Sequence, residues 1–116
     1  MTVSSQDQAA PDVETMRATI QRALALAAPP TAMDVTLLLG QLRDEVELMV
    51  SEVELLATAQ ADTMAGTLAQ ACVGEARRKL SVDVRPVVSA RLAYGRRLAR
   101  VLSALCDHYR SLTGGA

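Results

Sequence analysis

Apolar residues recur at steps of three and four along four stretches of the chain, and each stretch opens and closes on helix-boundary residues. In the first, Val13, Met16, Ile20, Leu24 and Ala27 keep that spacing. Pro11, with Asp12 and Glu14 just behind it, opens the stretch: proline is pre-set for a first helical turn, and acids there meet the positive end of the helix dipole. Pro29-Pro30 closes it, because the residue before a proline is pushed out of the α region. The spacing predicts a helix over roughly 11–28. The second stretch has the clearest pattern. Val35, Leu39, Leu42, Val46, Met49, Val53 and Leu56 follow at 4-3-4-3-4-3, the seam of a helical bundle. Thr31 and Asp34 supply a cap and a first-turn acid, and the helix is expected to end near Ala61. Leu37, Leu48 and Leu55 are placed about 100° to one side by the 3.6-residue period, which widens the apolar face enough to touch more than one neighbour. Arg43, Glu47 and Glu54 are expected on the opposite side.

Asp62 or Thr63 can cap a third helix. Its apolar row is Ala65, Leu68, Cys72, Ala76 and Leu80, with Val73 beside it, and it is expected to fray around Ser81–Val84. Gly66 and Gly74 lie inside it. Each glycine costs about 1 kcal/mol relative to alanine, so close approach of a neighbouring helix is the expected reason for them. Pro86 is expected to start a fourth helix and Gly114-Gly115 to stop it. Its seam is Leu98, Leu102, Leu105, Tyr109 and Leu112, with Arg96, Arg97, Arg100, Asp107 and Arg110 falling away from it. No strand pattern and no internal repeat is visible. Short connections favour antiparallel neighbours, so the expected fold is all-α, an antiparallel up-down-up-down four-helix bundle. It forms a single domain over 11–113, behind a disordered leader over 1–10.

Composition narrows the function classes. The 116 residues are half apolar, which argues against disorder, yet they include no Phe, no Trp and only Tyr94 and Tyr109 as aromatics. Twenty alanines and sixteen leucines suit close helix packing, and base stacking lacks its aromatic faces. No run approaches the roughly 20 apolar residues of a membrane span. The start of the chain lacks the basic and apolar regions of a secretory signal, so a cytoplasmic location is expected. The formal net charge of −1 hides a segregation. Between Thr31 and Asp62, seven acids face only Arg43, giving −6; between Ala76 and Arg110, nine bases face two acids, giving +7. Two oppositely charged helices lying side by side would account for this. The alternative is a basic face for an acidic partner such as nucleic acid, with Arg91, Arg96, Arg97 and Arg100 as its candidate residues.

Candidate chemistry is sparse. Cys72, Cys106 and the single histidine, His108, are the candidate metal ligands and the candidate Cys–His pair. Residues two apart on a helix point about 200° apart, so Cys106 and His108 do not face one ion, and no CxxC or HxxxH spacing exists. Packing is the commoner fate of such cysteines. A Cys–His nucleophile needs a base within hydrogen-bond reach and a third group to orient it. His108 is expected instead to be half-buried against a carboxylate, Glu75 or an acid of the second helix. There is no phosphate-binding loop, no GxSxG and no ExxH pattern. A helix-turn-helix is disfavoured by the long connection at Pro86 and by the Val87-Val88-Ser89-Ala90 start of the fourth helix. No catalytic, cofactor or metal residues are assigned, and the enzyme class is disfavoured.

Four strings carry a family likeness: DVETMR at 12–17, LRDEVELMVSEVE at 42–54, ACVGEARRKL at 71–80 and RRLARVLSALCDHY at 96–109. Together they resemble DUF6415, a family of short actinobacterial proteins of unknown function usually labelled natural product biosynthesis protein. The likeness runs from about Asp12 to Leu112, and its two C-terminal strings are the most specific. It implies a recurring signature of Cys72, Glu75, Arg77, Cys106, Asp107, His108 and Tyr109, which a polar cluster linking the third and fourth helices would explain. The expected function is therefore a non-catalytic accessory or interaction protein in a natural-product setting, with a protein partner or a second copy of itself. The alternatives are a small regulator touching nucleic acid through the fourth helix, and a binder of a small apolar metabolite between helices.

Overall fold

The computed structural model describes residues 10–25 and 30–114, which form four helices: α1 (Val13–Leu24), α2 (Ala32–Ala59), α3 (Met64–Leu80) and α4 (Val88–Thr113). The expected leader, apart from Ala10, lies outside the described residues, as do Ala27 and Pro29. Pro11 is not in the first turn of α1 but one residue ahead of its cap, Asp12, whose carboxylate accepts from the Thr15 N–H at 3.1 Å and the Thr15 hydroxyl at 2.6 Å. Thr31 and Asp34 close a reciprocal capping box on α2. Of the two candidates for α3, Thr63 is the cap and accepts from the Gly66 N–H at 3.0 Å. The fourth helix begins two residues after Pro86. Val87 is extended and its N–H is taken by the Arg85 carbonyl, so the helical ladder opens only with Arg91 N–H to Val87 O. It ends at Gly114, whose left-handed φ of 69° glycine adopts without a side-chain clash.

The helices run up-down-up-down. α1 is antiparallel to α2, as the contacts Arg22–Gln41 and Thr19–Glu45 show, and α3 is antiparallel to α2 through Arg77–Glu54 and Arg43–Leu80. The parallel pair, α2 and α4, makes the most extensive contact, and α1 and α3 lie against opposite flanks of it without touching each other among the described residues. Gly95 permits the approach: a Cβ there would lie 3.2 Å from Leu39 Cδ2. Leu42, Val46, Met49 and Val53 of α2 and Leu98, Leu102 and Leu105 of α4 are fully buried along this contact. Between Ala23, Val35, Leu39 and Gly95 the packing leaves no room for a water molecule.

Three expectations change. The buried row of α3 is Gly66, Ala69, Val73 and Ala76, turned from the expected one, and Leu68 is 54% exposed. Small residues let α3 sit low in the cleft between α2 and α4, which a row containing Leu68 would hold off. Gly66 does meet the neighbouring helix, at the end of α2, where the Gln60 and Ala57 carbonyls crowd it, whereas at Gly74 the one contact is the tip of Arg78 at 3.7 Å. Finally, Leu37, Leu48 and Leu55 are 65%, 44% and 70% exposed. Measured from the buried Val35–Val53 seam, the helical period puts them nearly opposite it, on the outer side of α2. Arg43 and Glu54 are not on that outer side; both reach α3.

The aromatic residue in the core is Tyr94, which the seam pattern leaves out; Tyr109 is half-buried. Tyr94 Oη donates to the Lys79 carbonyl and Arg43 Nη1 donates to the Leu80 carbonyl at 3.1 Å, with the Arg43 guanidinium 5.3 Å from the Tyr94 ring centroid. Two side chains from other helices thus bond the last carbonyls of α3, the Lys79 carbonyl also taking the Val82 N–H at 3.3 Å.

Candidate functional site

The structure separates the residues of the expected polar cluster. Cys106 is buried and Asp107 lies on the α1 side of α4, where its Oδ1 accepts from Arg17 Nη2 at 2.8 Å. Arg17 Nη1 also donates to Ser103 Oγ at 3.2 Å, and the Asp107 hydrogen bond raises the Arg17 pKa. Cys72 and Glu75 lie on the other side, on α3 where it faces α4. His108 is half-buried and has no carboxylate partner among the described residues. Glu75 is engaged within its own helix, by Arg78 Nη2 at 2.9 Å and Lys79 Nζ at 2.8 Å. Burial pushes both thiols up in pKa, Cys72 with help from Glu75, so neither is a ready thiolate at neutral pH. Among the described residues no three His, Cys, Asp or Glu side chains are grouped to hold a metal ion.

A groove between α3 and α4 joins members of both expected sets. Cys72, Glu75, Lys79, Arg97, Arg100 and Val101 line it around a volume of about 450 Å³. It continues past Lys79 and Arg97 to Arg78 and Val82. Lys79 and Arg78 are tied to Glu75, whereas Arg97 and Arg100 have no ion pair among the described residues. The four arginines of the expected basic face do not form one surface. Arg91 lies over Leu39, Gly40 and Val84, facing α2. The period turns Arg100 half-way round the helix from it, with Arg96 and Arg97 to either side of Arg100.

The acidic and basic stretches do not neutralise each other side by side. α2 and α4 meet through their apolar faces, so their charged faces point to opposite sides of the molecule. One ion pair from α2 crosses to the basic stretch, Glu54 with Arg77 of α3, the two carboxylate oxygens taking the two guanidinium nitrogens at 2.6 and 2.9 Å. That bond draws the Glu54 pKa down.

A polar seam between α1 and α2 stands apart from every expected site. Thr19 is fully buried; its hydroxyl and Gln41 Nε2 each reach Glu45 Oε2, at 3.2 and 3.3 Å, and Arg22 joins through Gln41 and Thr19. Glu45 Oε1 is buried without a partner among the described residues. Desolvation therefore raises the Glu45 pKa against its two hydrogen bonds. A carboxyl with a raised folded-state pKa binds more protons folded than unfolded, so its contribution to stability falls as pH rises through that pKa. Urea unfolding at pH 4 and pH 7 should show wild type losing stability relative to Glu45→Gln over that interval. No change would mean the carboxylate is as well solvated folded as unfolded, and a difference that grows in wild type's favour would mean it is paired in the folded state. The signal in the sequence is Thr19 lying next to Ile20 inside an apolar row, four residues after Thr15.

No described helix is long and apolar enough to cross a membrane. The model of one protein family, described as Family of unknown function (DUF6415), matches residues 14–114. No curated protein and no solved structure matches the chain.

Proposed function

The chain belongs to the DUF6415 family, to which no activity is assigned, and from its surface we propose a non-catalytic interaction protein whose docking face is the outer side of α2. The observation that carries this is the exposure of Leu37, Leu48 and Leu55, spaced eleven and seven residues apart on one long helix. Leucines aligned in this way on a solvent face favour contact with another apolar stripe. The exposed acids Asp44 and Glu47, with half-exposed Glu52, flank them. A second copy of α2 would bring like charges together, so a helix whose apolar stripe is edged by Lys or Arg is the better complement. The natural-product setting implied by the family label belongs to this proposal as its biological context.

The test compares wild type with Leu48→Asp/Leu55→Asp in pull-downs from the native host, followed by binding of the captured protein's basic helical segment as a synthetic peptide. Affinity that weakens with salt and is lost in the variant supports the reading. Capture unaffected by the variant refutes it, and so does a dimer in light scattering that the variant dissociates.

A further inference from the structure

The groove on the far side of the molecule from the α2 leucines has a chemical polarity along its length. Arg97 and Arg100 stand over one part of it with no carboxylate partner among the described residues, and Lys79 reaches the same space. Glu75 is already shared between Arg78 and Lys79, so it does not neutralise the two arginines. Away from Arg97 the lining turns apolar: Val101, Ala104 and Cys72. Leu68 lies one helical turn before Cys72 on the same side of α3, more than half exposed. From Arg97 to Ala104 the helix rises about 10 Å, the length of a medium alkyl chain.

We propose that this α3–α4 groove binds a small aliphatic anion, with its phosphate or carboxylate head on Arg97 and Arg100 and its hydrocarbon tail running toward Leu68. Arginine suits the head, because its planar donor fork matches the oxygens of such groups. The tail covers apolar surface that the bundle leaves open to water. A nucleobase fits this lining poorly. Tyr94, the aromatic residue beside the groove, has its ring buried and covered by Arg43. The site is independent of the docking face on α2, and either can fail without the other.

The experiment is isothermal titration of the full chain with octyl phosphate below its micelle-forming concentration. Inorganic phosphate, duplex DNA and phosphatidylglycerol vesicles are titrated in parallel. Octyl phosphate should saturate at one per chain, and inorganic phosphate should bind at least about tenfold more weakly. Arg97→Gln/Arg100→Gln should weaken octyl phosphate by about tenfold or more, the loss of charge-assisted hydrogen bonds. Leu68→Ser should weaken it several-fold while leaving inorganic phosphate unchanged. These side chains are exposed, and unchanged circular dichroism and melting temperature establish that each variant is folded. The proposal is overturned if octyl phosphate does not saturate, if both phosphates bind equally, or if the double variant binds as wild type does. Binding to DNA or vesicles with none to monomeric octyl phosphate also overturns it, in favour of a polyanion or membrane surface.

Discussion

Gly66→Ala should lower the unfolding free energy by about 3 kcal/mol, the upper end of what an overpacked site costs. The cause is local. A Cβ at Gly66 would lie 2.0 Å from the Gln60 carbonyl oxygen and 2.7 Å from its carbon. That carbonyl is fixed from two directions, by the Thr63 N–H at 3.0 Å and the Thr63 hydroxyl at 2.7 Å. Thr63 also caps α3 through the Gly66 N–H. Relieving the clash means moving backbone, and moving it breaks the turn and the cap together. Gly40→Ala provides the opposite case. Gly40 is exposed within α2, and a Cβ there would meet nothing within 4 Å. Replacing it should stabilise by about 0.5–1 kcal/mol through the entropy of the unfolded chain. Thermal and urea unfolding followed by circular dichroism distinguish the two. A Gly66→Ala protein within about 0.5 kcal/mol of wild type would show that the α2–α3 turn is not held this tightly.

Leu102→Ala should cost about 3 kcal/mol, within the roughly 2–5 kcal/mol range for emptying a buried leucine site. Leu102 is fully buried on α4, and α2 is the helix that α4 meets most extensively, so the cavity would open in the middle of the molecule. The neighbours cannot collapse into it easily, because the parallel pair is held close at Gly95 and flanked by both remaining helices. Leu55→Ala should change stability by less than about 0.5 kcal/mol, since Leu55 is 70% exposed. The comparison matters for function as well as stability. If Leu55→Ala destabilised by more than about 1 kcal/mol, Leu55 would be packing and the docking face would lose one of its three anchors. Equilibrium urea unfolding of the two variants settles both points.

The four helices and most of the core could be read from periodicity, because a sustained 4-3 spacing puts apolar residues on one side of a helix and on both sides of a strand. Every member of the α2 seam is buried except Leu56, which is half-buried. The caps at Thr31 and Thr63 were legible too, since a threonine oxygen in front of an apolar run has a defined task. α3 misled because hydrophobicity outranked size: Leu68 made a better-looking seam than Gly66 and Ala69, but the cleft between α2 and α4 selects small residues. The outer leucines misled for a related reason. Leucine counts as core in any pattern, and only their angle about the helix axis places them outside. The candidate site was partly legible. Cys72, Glu75, Arg97 and Arg100 were all singled out, but as members of two different sets. Their meeting in one groove depends on α3 being antiparallel to α4 and on its rotation, which spacing within a single helix does not encode. Of the Thr19–Gln41–Glu45 seam the sequence signals only the place of Thr19 beside Ile20, since its partners come from a second helix whose register against the first no local pattern reveals.

Opposed acidic and basic sides give this chain of formal net charge −1 an electric dipole running from the α2 side to the α4 side. Such a molecule is attracted to surfaces of either sign once it has turned to present the right flank. At low ionic strength it should therefore be retained on both anion- and cation-exchange media. It would lie with α2 toward the positive resin and α4 toward the negative one, and it should elute from both once the salt concentration shortens the screening length below the width of the bundle.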